Sequence, residues 1–234
     1  MKKKFYLVLD VETANGLEDA LVYDIGYAVI DNKGHIYKTA SYVVRDIFIK
    51  EKDLMQTAYY AEKIPMYWDE IKKHNFIVSD FYTVRRDLCD TIKQYNIKTV
   101  CAYNAHFDYT ALNTTERWIT KSKYRYFLPY GIEVNCIWHM ACQVICTQKK
   151  YIRWCIENNY VSPSGNIKTS AEVVHRFLSQ DTDFIEAHTG LQDVLIEADI
   201  FARCIAKHKK MDRNINRQCW KIPTKRAKEM GMIS

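Results

Sequence analysis

Two carboxylates, Asp10 and Glu12, close the unbroken apolar run Phe5 to Leu9 near the start of the chain. A run of this kind reads as a strand buried on both faces. Side chains alternate across a strand, so Asp10 and Glu12 point to one face and Val11 to the other. Burying one ionised carboxylate is expensive, and a like charge beside it raises the penalty. A divalent cation would remove it, because hard cations take carboxylate oxygens. The alternative is a strand that runs out into a solvated loop, for which Thr13, Ala14, Asn15 and Gly16 supply turn residues.

Further candidates for the same chemistry lie far along the chain. In "NAHFD", Asp108 falls on the stripe Asp108, Ala111, Leu112, Thr115, Ile119 of a helix starting near Phe107. A carboxylate there either offsets the helix dipole or faces a cleft at a strand's exit. In "AHTGLQDVLIEAD", His188 stands just before a helix capped by Thr189, and Asp193 lies inside it. A histidine on such a loop can titrate near neutral pH, although one beside a helix start is more often a surface residue. The run "CIWHMACQVIC" brings Cys136, His139, Cys142 and Cys146 close in sequence. On a helix these occupy one broad face and cannot converge tetrahedrally, so core thiols are expected rather than zinc. The stretch "YYAEKIPMYW" reads either as packing aromatics or as a platform for stacked bases, with packing the better reading.

The elements that must position these residues follow from periodicity. Two strands, "LVYDIGYAVID" and "HIYKTASYVV", follow the first and are joined by a turn at Asn32, Lys33 and Gly34. Residues 46–78 read as irregular or helical, broken by Pro65. A helix capped by Ser79 carries Phe81, Val84, Leu88 and Ile92 at helical spacing. "KTVCAY" is a buried strand, the Asp108 helix follows, and "GIEVNCIW" starts a strand passing into a helical run to about Ile145. Residues 148–158 look helical, and Thr169 with Glu172 makes a capping box for the next helix. The helix opening at Thr189 carries the stripe Leu191, Val194, Leu195, Ala198, Phe201, Ala202, Ile205. The sum is a five-stranded mixed sheet flanked by helices, an α/β fold.

Composition narrows the class. The chain has 234 residues, 48% hydrophobic and 26% charged, and no apolar run long enough to span a membrane. The opening MKKK before an apolar run lacks a small-residue cleavage site, so no signal peptide is expected. Eight scattered cysteines without framework spacing suggest a reduced, cytoplasmic setting. The net charge of +6 is uneven, since residues 207–234 hold nine Lys/Arg against two acids. Such a basic tail is either a solvated end or an electrostatic hold on phosphates. Enrichment in Lys, Asn, Ile and Tyr points to an AT-rich genome, of a phage or a low-GC bacterium, and in a phage the setting is host cytoplasm.

Taken together, the sites resemble the DEDDh branch of the DnaQ-like 3′–5′ exonucleases, on the ribonuclease H-like fold. The first family motif, Asp-x-Glu ending the first strand, matches Asp10 and Glu12; the second, Asn-x-x-Phe-Asp, matches Asn104, Phe107 and Asp108. The third, a His with an Asp five residues on, matches His188 and Asp193. The likeness spans residues 4 to about 206, so the expected division is an exonuclease domain 1–206 and a basic tail 207–234. Departures are Tyr103 where many members carry His, Gly190 where Ala is common, and "VNCIWHMA" without the usual Asp-Thr. The resemblance implies two divalent metals, Mg²⁺ or Mn²⁺, on Asp10, Glu12, Asp108 and Asp193, with His188 as general base. It also implies release of nucleoside 5′-monophosphates from single-stranded or 3′-end nucleic acid, DNA ahead of RNA, with Thr13, Ala14, Asn15, Gly16, Asn104 and Phe107 near the terminal nucleotide. Trimming or degradation of RNA is the alternative, and a non-catalytic nucleic-acid-binding or interaction protein on the same fold is the alternative of another class. A proofreading role would need a polymerase or other replication partner in trans; no membrane partner is expected.

Overall fold

A computed structural model describes residues 3–233; Met1 and Lys2, the head of the run weighed as a leader, and Ser234 lie outside the described residues. A six-stranded sheet runs in the order β4-β3-β2-β1-β5-β6. Strands β1 (Phe5–Ala14), β2 (Leu21–Asp31) and β3 (Ile36–Val44) form the antiparallel meander read from the sequence. Strands β5 (Thr99–Ala102) and β6 (Glu133–Cys136) add in parallel on the far side of β1. The strand beyond the expected five, β4, is only Val78–Ser79, parallel to Val43 and Val44. Two residues are too few to show alternation, and backbone groups alone make this pairing.

Between β3 and β4 lie α1 (Arg45–Phe48), α2 (Lys52–Met55), a 3-10 turn (Ala61–Lys63) and α3 (Ile64–Lys72). Pro65 begins α3 rather than breaking a helix, since a proline in the first turn gives up an N–H the helix does not use. Next come α4 (Phe81–Gln94) before β5 and α5 (Ala105–Thr120) after it. Asp80, not Ser79, caps α4, its carboxylate accepting the Thr83 amide at 2.8 Å. After β6 follow α6 (Ile137–Val144), α7 (Lys149–Glu157), α8 (Ala171–Ser179), α9 (Gly190–Ile205) and α10 (Lys221–Glu229). The cap of α8 is Ser170, one residue past the expected Thr169.

The parity of β1 divides the core. Leu7, Leu9 and Val11 pack with Val84, Leu88 and Leu112 of α4 and α5. Tyr6 and Val8 face the other way, toward Met140 of α6 and Val194, Ala198 and Phe201 of α9. Asp10 and Glu12, in phase with Tyr6 and Val8, therefore share the α9 side of the sheet. On α9 the expected stripe is displaced: Leu195 is 41% exposed, while Asp193 and Glu197 are buried. Gly190, Val194, Glu197 and Phe201 form the centre of the buried arc, which turns Leu195 outward.

Residues 207–233 are not a free tail. Arg213 and Asn214 run alongside α6, where the Cys136 amide donates to the Arg213 carbonyl at 3.1 Å and His139 Nδ1 lies 3.0 Å from the Asn214 carbonyl. Cys219 and Ala227 have no exposed surface, and the Ile167 amide donates to Thr224 Oγ1 at 3.2 Å. Apolar residues spaced through the charged segment dock it on the core facing α6 and α9, against the reading from charge alone.

Candidate active site

Three distant segments deliver the predicted side chains to one end of the sheet. Asp10 and Glu12 come from the last turns of β1, just before a register shift between Glu12 and Thr13. Asp108 comes from the first turn of α5, and the chain reaches that helix from β5 through Asn104, held in the left-handed region at φ 62°. Asn adopts that conformation more readily than other non-glycine residues, so the turn from strand to helix is sharp. His188, with φ 50°, and Asp193 come from the entry and first turn of α9.

The entry of α9 is held by β2. Thr189 is its N-cap but makes no capping bond through its side chain. Instead the Asp24 carboxylate accepts the Gly190 amide at 3.1 Å and the Tyr67 hydroxyl at 2.5 Å. Gly26, paired with Asp10, lies so close to Gly190 that a Cβ on it would sit 2.2 Å from the Gly190 carbonyl carbon. Two glycines in contact let the backbone of α9 rest on the strand beside Asp10.

Asp10, Glu12, Asp108, His188 and Asp193 all line one cleft of about 380 Å³, together with Asn104 and Phe107. Glu12, His188 and Asp193 are the tightest group, with potential ligand atoms within 4.8 Å of one another. His188 Nδ1 lies 3.9 Å from Asp193 Oδ2 and 3.8 Å from Glu186 Oε2, and its ring stacks on Tyr60 at 4.3 Å. Thr13, Asn15 and Gly16 line the continuation of the cleft with Tyr59 and Tyr60. Ala14 does not; it is wholly buried with Leu9 and Val11, because the register shift between Glu12 and Thr13 reverses the alternation of side chains along β1.

No family model and no curated protein matches the chain. Solved structures do. The structure of cell-death related nuclease 4 superposes with a TM-score of 0.54 at 12% identity, covering 89% of this chain and 66% of that one. Exonuclease I from Methylocaldum szegediense gives 0.54 at 14% identity, over 88% of this chain and 41% of that chain. E. coli Exonuclease I in complex with a 5cy-dT13 oligonucleotide gives 0.51 at 9% identity, over 94% and 42%. The chain has the ribonuclease H-like fold. It spans less than half of either exonuclease I chain, so the likeness covers one part of those proteins.

Within this ribonuclease H-like fold the cleft holds more acid than the sequence motifs announce. Glu186 and Glu197 also line it. Glu197, which accepts the Tyr103 amide at 3.1 Å, lies one helical turn after Asp193, and that i,i+4 spacing was a readable signal. Glu186 sits on a loop and has no such signal. Burial is the first cause of high carboxyl pKa values here. It holds Asp10 well above the usual range, with Glu197 and Asp108 adding repulsion, and pushes Glu12 to about 8 with Asp24 adding to it. Burial also lifts Asp108 and Asp193 to about 8. His188 moves the other way: burial, then the Lys63 ammonium, lower its pKa.

The donor set fits divalent cations. Asp10, Glu12, Asp108 and Asp193 offer hard oxygen ligands to this one cleft, Glu12 and Asp193 within 4.8 Å of each other, and among the described residues Asp193 Oδ1 is buried without a hydrogen-bond partner. Lys63 is the positive charge that lowers Glu12 and Asp193, and it is already engaged with the Ala187 carbonyl. Cys136, Cys142 and Cys146 are free, buried thiols, and among the described residues they do not join His139 in a ligand cluster.

Proposed function

We propose that this protein is a metal-dependent 3′–5′ exonuclease of the DEDDh type, releasing nucleoside 5′-monophosphates from nucleic acid. The observation that carries the reading is the convergence of Asp10, Glu12, Asp108, Asp193 and His188 from three separate segments on one cleft. A binding protein would have no use for so much buried, uncompensated acid.

Asp10, Glu12, Asp108 and Asp193 would hold two cations, Mg²⁺ or Mn²⁺, which supply positive charge to the attacking and leaving oxygens of an in-line displacement. His188 supplies the base. Its lowered pKa keeps the ring neutral at pH 7, and with Nδ1 turned toward Glu186 and Asp193, Nε2 takes the proton of the attacking water. The new P–O bond forms as the P–O3′ bond breaks, and the 3′ oxygen leaves with a proton from solvent. Tyr60, stacked flat on the imidazole, limits its rotation. Asn104 and Phe107 border the cleft where the terminal nucleotide would lie, and Thr13, Asn15 and Gly16 border its extension.

DNA is placed ahead of RNA, in keeping with the dT oligonucleotide bound by one structural neighbour. Matched DNA and RNA, single- and double-stranded and labelled at either end, test the reading with Mg²⁺ or Mn²⁺. Release of a 3′ label as mononucleotide, with stepwise shortening of 5′-labelled strands, is expected, and Asp10→Asn should abolish it. Inertness of the wild type with both metals, or an Asp10→Asn variant within threefold of it, would overturn the assignment.

A further inference from the structure

The basic segment at the C-terminal end of α5 was not singled out by the motifs, yet its surroundings are unusual. Residues 117–130 contain Arg117, Lys121, Lys123 and Arg125 and no Asp or Glu. Trp118, Tyr124 and Tyr126 stand 44%, 88% and 54% exposed in the same stretch. The Lys121 ammonium lies 4.4 Å from the centre of the Trp118 ring, and the Arg117 guanidinium 5.1 Å from that of Tyr126. Among the described residues no ion pair involves Arg117, Lys121 or Lys123, whereas Arg125 has Glu116 at 3.9 Å.

This surface is continuous with the active-site cleft. Arg117, Trp118, Lys121 and Lys123 line a hollow with Asn15 and Asp19, and Asn15 also lines the groove that holds Gly16, Tyr59 and Tyr60. That groove in turn shares Glu12, Tyr60, Asn104 and Phe107 with the catalytic cleft. We propose that residues 117–126 are a second binding surface, on which single-stranded nucleic acid lies by its phosphates and stacked bases after leaving the cleft. The proposal rests on the nuclease reading above and adds the path of the strand. Free cations suit any polyanion, but exposed rings beside them suit one that carries flat bases at each phosphate. An acidic peptide has the charge without the bases.

The test is fluorescence anisotropy with a labelled dT oligomer of roughly 20 nucleotides, longer than the about 4–16 of a typical single-strand site. Binding is measured in EDTA, which stops metal-dependent cleavage. Tyr124→Ala should weaken binding on the order of tenfold by loss of stacking. The double variant Lys121→Ala/Lys123→Ala should lower the log–log salt slope by about 1.4, roughly 0.7 for each phosphate contact on a single strand. Hydrolysis of a trinucleotide, too short to reach the surface, should stay unchanged in both. Variants that bind the oligomer with wild-type affinity and slope would overturn the proposal, as would a wild type that does not bind it. Displacement of the oligomer by poly-glutamate as readily as by unlabelled dT would overturn it too, by showing a surface that reads charge alone. A wild type that binds but hydrolyses nothing refutes the nuclease reading separately, and the binding comparison still decides the surface.

Discussion

His188 is gripped by its neighbours before any substrate arrives: Tyr60 covers one ring face, Nδ1 faces Glu186 and Asp193, and its backbone is in the left-handed region. Its exchange for alanine should cut the rate by roughly 10²–10⁴, the usual worth of a general base. Calorimetric metal titration of the same variant separates base from ligand. Unchanged affinity supports the base, whereas a large loss would make His188 a ligand, as its closeness to Glu12 and Asp193 permits. The carboxylates carry a second expectation. Glu12, Asp108 and Asp193 have folded pKa values near 8, against about 4 in an unfolded chain. The folded state then holds protons that the unfolded state has released, so metal-free stability should be highest near pH 4–5 and fall as pH rises to about 8. Thermal melts in EDTA should show that fall, and added Mg²⁺ or Mn²⁺ should raise the midpoint more at pH 8 than at pH 5. A midpoint in EDTA that does not change between pH 5 and pH 8 would contradict it.

The contact between β2 and the entry of α9 decides whether these groups meet. Asp24 accepts from Gly190, and Gly26 touches the Gly190 backbone directly. Gly26→Ala would drive a methyl group into that backbone, which cannot yield as a flexible side-chain tip can. A loss of about 1–3 kcal/mol in chemical denaturation is expected from such overpacking. Because the shifted helix carries His188 and Asp193, activity should fall by on the order of 10²-fold, more than the loss of folded protein explains. A variant as stable and as active as wild type would show that α9 is placed by other contacts. The sequence offered partial guidance at this scale. The strands β1, β2 and β3 and the Asp108 helix were legible because alternation and helical spacing are strong over their length. The caps of α4 and α8 slipped by one residue because Ser79–Asp80 and Thr169–Ser170 each place two capping side chains in succession.

At the scale of the molecule, the C-terminal segment closes the core that α6 and α9 build on one face of the sheet. Deleting residues 207–234 would uncover the neighbours of Ala227 and Cys219 and free the Ile167 amide from Thr224. The truncated chain should lose several kcal/mol, roughly the value of the apolar area it exposes, and melt at a lower temperature. A truncated chain that melts with wild-type cooperativity and midpoint would mean that α10 is only laid on the surface. The charge of this segment thus sits on an element that also packs, as Lys and Arg stems commonly do.

A family resemblance, and not periodicity, grouped Asp108, His188 and Asp193 with Asp10 and Glu12; the sequence by itself determined the α/β class, the meander and the faces of Asp10 and Glu12. Those features are written in local periodicity and short spacings, which any chain must obey. Only the tertiary structure decided that Ala14 is core and not groove, that Glu186 and Glu197 share the cleft, and that Leu195 faces solvent. The same is true of the place of Tyr60 on His188, of the route from the cleft to Lys121 and Lys123, and of β4. Each depends on contacts between residues far apart in the chain. Their geometry is set by how Gly190 seats α9 on β2 and how the segment between β3 and β4 folds over the cleft, and no local pattern encodes either.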